Sequence, residues 1–229
     1  MPSIPKILSV GGSIIIPKTG FDIAFLKRFR ALILSRVKKG ERFVLVTGGG
    51  ATCRQYQEAA AQVRKLTPDD LDWMGIYTTI YNAQFVRLLF KEYAYPEIIT
   101  NPHRKVNTAK PIIMAAGEKP GASSDIDAVE LAHTYGAKEV FNLSNVEYVY
   151  DRDPNKYHDA VRIEAIDWAS FRRDIVGTKW VPGFNAPFDP TASAKAQKYG
   201  LKVSIVRGTD LPEVAKALRG RKFRGTVIS

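Results

Sequence analysis

Three consecutive glycines, Gly48-Gly49-Gly50, close the apolar run Phe43-Val44-Leu45-Val46 and open a helical stretch that carries Arg54 within its first turn. Glycine lets a backbone approach an anion closely and adopt positive φ without a Cβ penalty, and the free N–H groups of a following helix point at the same spot. Arg54 adds a planar two-pronged donor suited to phosphate. The chemistry implied is anion binding, although a ligand-free strand-to-helix turn would use the same glycines. A second turn of this kind, Gly11-Gly12-Ser13, follows Lys6-Ile7-Leu8-Ser9-Val10, and two such turns point to two anion sites. Neither loop has the lysine of a Walker A motif or the spacing of a dinucleotide fingerprint, so P-loop ATPases and Rossmann dehydrogenases are disfavoured.

Three further segments carry groups that could contact a ligand. Gly117 to Asp125 places Ser123 and Ser124 ahead of a helix, a third anion or ligand contact; the alternative is N-capping by Ser124 or Asp125, with Asp127 only favouring the helix dipole. Asn142 to Tyr150, followed by Asp151-Arg152-Asp153-Pro154, combines polar groups with a flat aromatic surface and suits a purine base. In Gly183 to Pro190, Asp189 either caps a helix opened by Pro190 or directs its carboxylate into a site, and one side chain can do both.

The elements that must position these residues are legible as alternating patterns. Apolar runs at Ile7–Val10, Phe43–Thr47, Glu97–Thr100, Pro111–Ala115, Glu139–Leu143 and Lys202–Val206 read as strands. Helical patterns occupy Asp22–Lys39, Thr52–Leu66, Trp73–Glu92, Ile126–Tyr135, Pro190–Tyr199 and Leu211–Leu218. Strands alternating with helices imply a mostly parallel sheet covered on both faces. The helix from Phe25 to Val37 is apolar enough to face either the core or a partner.

The chain has 229 residues, 45% hydrophobic and 25% charged, enough for one large domain or two coupled lobes. A net charge of +11 is compatible with phosphorylated ligands, an anionic surface or nucleic acid, but the basic residues are scattered and no nucleic-acid motif accompanies them. The single cysteine, Cys53, excludes an intrachain disulfide and fits a reducing, cytoplasmic compartment; beside the glycine turn it reads as a small buried residue. The three histidines lack metal-ligand spacing, so no intrinsic metal centre is expected. No stretch approaches the roughly 20 apolar residues that span a bilayer.

The ordered set of Gly-Gly-Ser after one strand, Gly-Gly-Gly after the next with Arg54 beyond it, Leu71-Asp72-Trp73-Met74-Gly75-Ile76, Ser123-Ser124-Asp125, Asn145 to Tyr150 with Asp153-Pro154, and Asp189-Pro190 resembles the amino acid kinase superfamily, and within it the archaeal type of the uridylate kinase branch. The resemblance runs from Ile7 to the C-terminal Gly225-Thr226-Val227-Ile228. It implies a three-layer αβα sandwich with a central, mostly parallel sheet, a single domain over residues 1–229 with an acceptor lobe to about residue 116 and an ATP lobe beyond. The implied activity is transfer of the γ-phosphoryl group of ATP to UMP, giving UDP and ADP in pyrimidine nucleotide biosynthesis. Position by position, Gly12 and Ser13 match the loop that receives the transferred group, with Gly11 on its ATP side. Gly48, Gly49, Gly50, Arg54, Asp72, Ser123 and Ser124 match the UMP site, the serines standing where the family usually has threonines. Ser144, Asn145, Tyr150 and Asp153 match the ATP pocket, and Asp189 the aspartate that organises the reactive centre. Mg²⁺ would arrive with the nucleotide, and the family implies a homohexamer built as a trimer of dimers.

Two positions depart from that pattern. Ser9 replaces a lysine found two residues before the glycine pair in many members, leaving Lys6, Lys18 or Lys195 to supply the transition-state cation, of which Lys6 is nominated. Glu147-Tyr148 stands where the family usually reads Asp-Gly, adding bulk where the backbone should bend around ATP. These departures keep open a catalytically impaired nucleotide-binding or storage protein of the same fold; a kinase for another small phosphate or carboxylate acceptor is the remaining alternative.

Overall fold

The computed structural model describes residues 3–154, 156–177 and 186–229. The first half contains β1 (Lys6–Val10), α1 (Gly12–Ile15), α2 (Ile23–Val37), β2 (Phe43–Thr47), α3 (Gly50–Val63), α4 (Pro68–Phe90), β3 (Ala94–Ile99), β4 (Ile112–Ala115), α5 (Ser124–Tyr135) and β5 (Glu139–Ser144). The second half contains β6 (Val149–Tyr150), β7 (Arg162–Ile163), β8 (Ala165–Ile166), α6 (Trp168–Ser170) continued by a π-helical turn at Phe171–Val176, α7 (Pro190–Lys198), β9 (Lys202–Arg207), α8 (Leu211–Leu218) and β10 (Thr226–Ile228).

Eight strands form one sheet in the order β3-β4-β2-β1-β5-β9-β10-β8, and β6 pairs with β7 in a separate ribbon. Within the large sheet, among the described residues, only the β9–β10 pairing is antiparallel. The central strands are buried on both faces, which is why Phe43-Val44-Leu45-Val46-Thr47 reads as a continuous apolar run without alternation. Successive side chains still point to opposite faces. Ile7, Val44 and Val140 join the core beneath α5 and α7, whereas Leu8, Leu45 and Phe141 join the core beneath α2, α4 and α8. The result is the helix–sheet–helix layering expected from the alternating pattern.

Helix starts are set by local caps. Asp22 accepts the Phe25 N–H at 2.8 Å, and α2 turns Phe25, Leu26, Phe29 and Ile33 into the core, which settles which way that apolar helix faces. α4 begins five residues before the expected Trp73, because Thr67 and Asp70 form a reciprocal capping box with Pro68 in the first turn. The cap of α5 is Ser123, which accepts the Ile126 N–H, and not Ser124 or Asp125. Among the described residues no helix is long and apolar enough to cross a membrane.

Strand order fixes where a site can form. From β1 the chain moves to β2, β3 and β4 on one side, then returns through α5 to β5 on the other side of β1. Ligands of open α/β sheets bind outside the carboxyl ends of the strands at such a reversal. The loops after β1, β2, β4 and β5 are the ones carrying Gly11-Gly12, Gly48-Gly49, Gly117 to Ser123, and Asn145.

Candidate active site

The two glycine turns lie against each other, backbone to backbone. A Cβ on Gly12 would sit 2.1 Å from the Gly50 nitrogen and 2.6 Å from the Gly48 carbonyl carbon, and one on Gly48 would sit 2.7 Å from the Gly12 nitrogen. Gly50 also holds φ at +67°, where side chains are strained. These glycines are therefore required by contact between the loops, a tertiary reason that composition could not separate from anion binding. Two of the amides are used internally: Gly11 N–H donates to the Leu143 carbonyl at 3.0 Å, and Gly48 N–H to the Val10 carbonyl at 3.1 Å. The fully buried Asn82 of α4 holds the second turn, its Nδ2 donating to the Gly48 and Gly49 carbonyls at 2.8 and 3.0 Å.

A cleft of about 210 Å³ opens between α3, α4 and α5 beside this contact. Gly48, Gly49, Asp72, Ser123 and Ser124 all line it, together with Cys53, Thr79, Lys119 and Asp127. Asp72 Oδ2 accepts the Gly121 N–H at 2.8 Å, and so ties the loop after β4 to α4. Gly121 makes that turn at a φ of +78°. Arg54 is exposed on α3, near enough to Cys53 for its charge to act on the thiol, but it stands outside the cleft lining. Cys53 is half-buried and its thiol pKa is raised, chiefly by burial.

Behind the glycine turns lies a buried polar cluster. Ser9 on β1 and Asn142 on β5 are register partners, and both reach Asp125 Oδ1, at 3.2 and 3.4 Å. Asp125 Oδ2 accepts the backbone N–H of Asp189 at 3.2 Å, and Asp189 caps α7 by accepting the Ala192 N–H at 2.8 Å. Asp189 thus serves as the helix cap, and its main chain is held by a second carboxylate. Burial, reinforced by the neighbouring Asp189 charge, pushes Asp125 up to about 7. The position that the resemblance reserves for a lysine is occupied by a hydroxyl bonded to this carboxyl.

The nomination of Lys6 is corrected by the register. Lys6 pairs with Phe43 at the first residue of both strands, about 13 Å from Val10 at ~3.3 Å per residue, and its ammonium lies 5.6 Å from the Phe141 ring centroid. It stands at the end of the sheet opposite the glycine turns. Lys195 is ion-paired with the buried Glu130 in the last turn of α7, and Lys18 is exposed. The cation that does line the cleft is Lys119.

Asp127 has a larger part in the cleft than its place in the first turn of α5 implied. It is 2% exposed, lines the cleft, and its Oδ2 has no hydrogen-bond partner among the described residues. Burial first, then the charges of Glu118, Asp125 and Glu130, raise it to about 7, with Lys119 opposing them. The expectation that it merely complements the helix dipole is overturned by this burial, because an ionised carboxylate there is disfavoured. Its spacing of four residues from Ser123 was a legible signal, since residues one turn apart share a helix face.

A second, larger cavity of about 460 Å³ lies beyond β5, lined by Ser144, Asn145, Tyr148, Tyr150 and Asp153, with Ala186 and Pro187 at its edge. The four residues nominated for the nucleotide pocket are thus together. Tyr148 is 7% exposed, adopts no positive φ, and carries the Arg162 guanidinium 5.2 Å from its ring centroid. It forms a wall of the cavity, at no cost in backbone strain. Gly183, Phe184 and Asn185 lie outside the described residues.

Comparison with known proteins places the chain in a family. Uridylate kinase of Methanospirillum hungatei is 30% identical over 233 residues, covering 100% of this chain and 95% of its own. That of Thermoplasma volcanium is 31% identical over 217 residues, covering 94% of this chain and 93% of its own. The crystal structure of uridylate kinase from Archaeoglobus fulgidus has the same fold, with a TM-score of 0.81 at 24% identity, covering 98% of this chain and 100% of that one. The model of the amino acid kinase family matches residues 5–207, a span that takes in both glycine turns, both cavities and the buried cluster between helices α5 and α7. The chain belongs to the amino acid kinase family.

Proposed function

We propose that the protein is a cytoplasmic uridylate kinase that transfers the γ-phosphoryl group of ATP to UMP, giving UDP and ADP for pyrimidine nucleotide synthesis. The observation that carries this reading is the position of the first glycine turn between two cavities. Gly12 packs on the turn that lines the smaller cleft, and Gly11 packs on Leu143, next to the residues that line the larger cavity. A phosphoryl group passing between occupants of the two cavities would cross Gly12 and Ser13. Similarity over nearly the whole chain to relatives named uridylate kinase supports the choice of acceptor.

The smaller cleft is below the roughly 300–1,000 Å³ of pockets that enclose an entire ligand. It would hold base and ribose, with Asp72, Ser123 and Ser124 as polar contacts, leaving the phosphate at the mouth near Arg54 and the glycine turn. The larger cavity lies within that range, and Ser144, Asn145, Tyr150 and Asp153 would contact ATP there. Transfer needs no covalent intermediate: the UMP phosphate is already ionised, so the protein aligns two anions and offsets charge. Lys119 and Arg54 are the cations available to the acceptor side. The described residues contain no group of three or more side chains able to hold a metal ion. Mg²⁺ would come with the ATP phosphates, as it does where one or two carboxylates and waters complete its shell, and would supply charge neutralisation.

Association into an oligomer is part of the same reading. Trp73, Tyr77 and Tyr81 follow one another at four-residue spacing on α4, and all three are exposed, forming an aromatic face that a second copy could cover. A coupled assay of ADP release with UMP, CMP and isopentenyl phosphate tests the activity. Turnover confined to UMP is expected; binding of nucleotides without turnover of any acceptor would refute it.

A further inference from the structure

We propose that Asp127 determines acceptor specificity, its free carboxyl oxygen making the hydrogen bond that reads the edge of the acceptor's heterocycle. This builds on the uridylate kinase reading above. A buried polar atom without a partner is uncommon and costly, so its presence in a cleft calls for a ligand group to complete it. Asp127 meets that description: it is 2% exposed, it lines the smaller cleft, and Oδ2 is unpartnered among the described residues.

Helix geometry places it within reach of the same ligand as the serines. Asp127 lies three residues after Ser124 and four after Ser123, one turn deeper on the face that both serines present to the cleft. Charge disfavours the phosphate at this end. Glu118, Asp125 and Glu130 act on Asp127 as like charges and Lys119 opposes them, while Lys195 pairs with Glu130, so the end of the cleft at Asp127 favours an uncharged ring with an N–H over an anion. The acceptor therefore enters with its base toward Asp127 and its phosphate toward the glycine turn.

The protonation state shapes what is read. A carboxyl that holds its proton near neutral pH offers a donor and an acceptor side by side. The imide edge of uracil offers the complementary carbonyl and N–H. Cytosine, with N3 accepting and its amino group donating, complements a protonated carboxyl as well, so the contact selects a pyrimidine edge; an ionised carboxylate would accept only and would shift the preference toward the amino-bearing base. Asparagine preserves a donor and an acceptor, whereas alanine removes both.

The test compares wild type, Asp127→Asn and Asp127→Ala by steady-state kinetics with UMP and CMP, alongside melting temperature and the KM for ATP. Loss of one ligand hydrogen bond predicts a UMP KM raised roughly 10- to 100-fold in Asp127→Ala, with the ATP KM unchanged and Asp127→Asn close to wild type. A purely structural role would instead lower kcat and melting temperature and leave the UMP KM untouched. An unaltered UMP KM in a folded Asp127→Ala would overturn the proposal. If the wild type turns over no UMP, the uridylate kinase reading fails separately. Protection of Cys53 from iodoacetamide by UMP then decides the matter: protection in wild type that is lost in Asp127→Ala supports the contact, while equal protection in both, or none in wild type, refutes it.

Discussion

Replacing Asp127 by asparagine should stabilise the protein more at pH 8 than at pH 5. Burial and three acidic neighbours raise the Asp127 carboxyl from 3.8 to about 7. Because the folded-state value lies above the unfolded one, the native state binds the proton more tightly across that window. Stability contributed by this group is greatest at low pH, declines as pH rises through the window, and reaches its full penalty above about 7. At about 1.4 kcal/mol per pH unit, the whole window corresponds to about 4 kcal/mol, of which about 2–3 kcal/mol falls between pH 5 and pH 8. Asparagine keeps the shape and removes the titration, so the mutant should gain that amount relative to wild type between the two pH values. For a chain of this size that is about 5–10 °C in melting temperature. The assay is thermal unfolding of both proteins at both pH values. Taking the double difference cancels every titrating group that does not interact with Asp127; the coupling to Asp125, Glu118 and Glu130 belongs to the measured difference. An equal melting-temperature difference at pH 5 and pH 8 would show that Asp127 ionises normally and would refute the reasoning.

Three further outcomes follow from the site. Gly12→Ala drives a methyl into the Gly50 backbone at 2.1 Å and should cost at least about 3 kcal/mol in urea unfolding, whereas Gly40→Ala, with φ +83° and nothing within 4 Å, should cost only about 1 kcal/mol. Asn82→Ala leaves the Gly48 and Gly49 carbonyls without their donor; a loss of about 2–4 kcal/mol and a raised UMP KM are expected, and an unchanged KM would mean that the turn keeps its shape unaided. Cys53, the chain's one thiol, should react with iodoacetamide at pH 8 more slowly than free cysteine because burial raises its pKa. Mass spectrometry of the labelled protein should show UMP slowing it further, since Cys53 lines the cleft.

The chain by itself determined what is local. β-branched runs punctuated by glycine marked the strands, and the two turns that end β1 and β2 were visible as consecutive glycines, of which only Gly50 holds a positive φ, directly after apolar runs. The start of α4 was also legible, in Thr67-Pro68-Asp69-Asp70, whose capping box opens the helix five residues before Trp73. Even the wrong end for Lys6 could have been seen, since a residue that opens a parallel strand cannot reach a site at its carboxyl end. Only the tertiary structure decided that Gly12 faces Gly48 and Gly50, that Asn82 holds their carbonyls, and that Asp125 joins Ser9, Asn142 and Asp189. It alone decided that Asp127 is buried, lines the smaller cleft and has an Oδ2 without a partner among the described residues. Those facts depend on which strands become neighbours, and on burial, which sets the cost of a charge; neither is encoded in the spacing of residues along one segment.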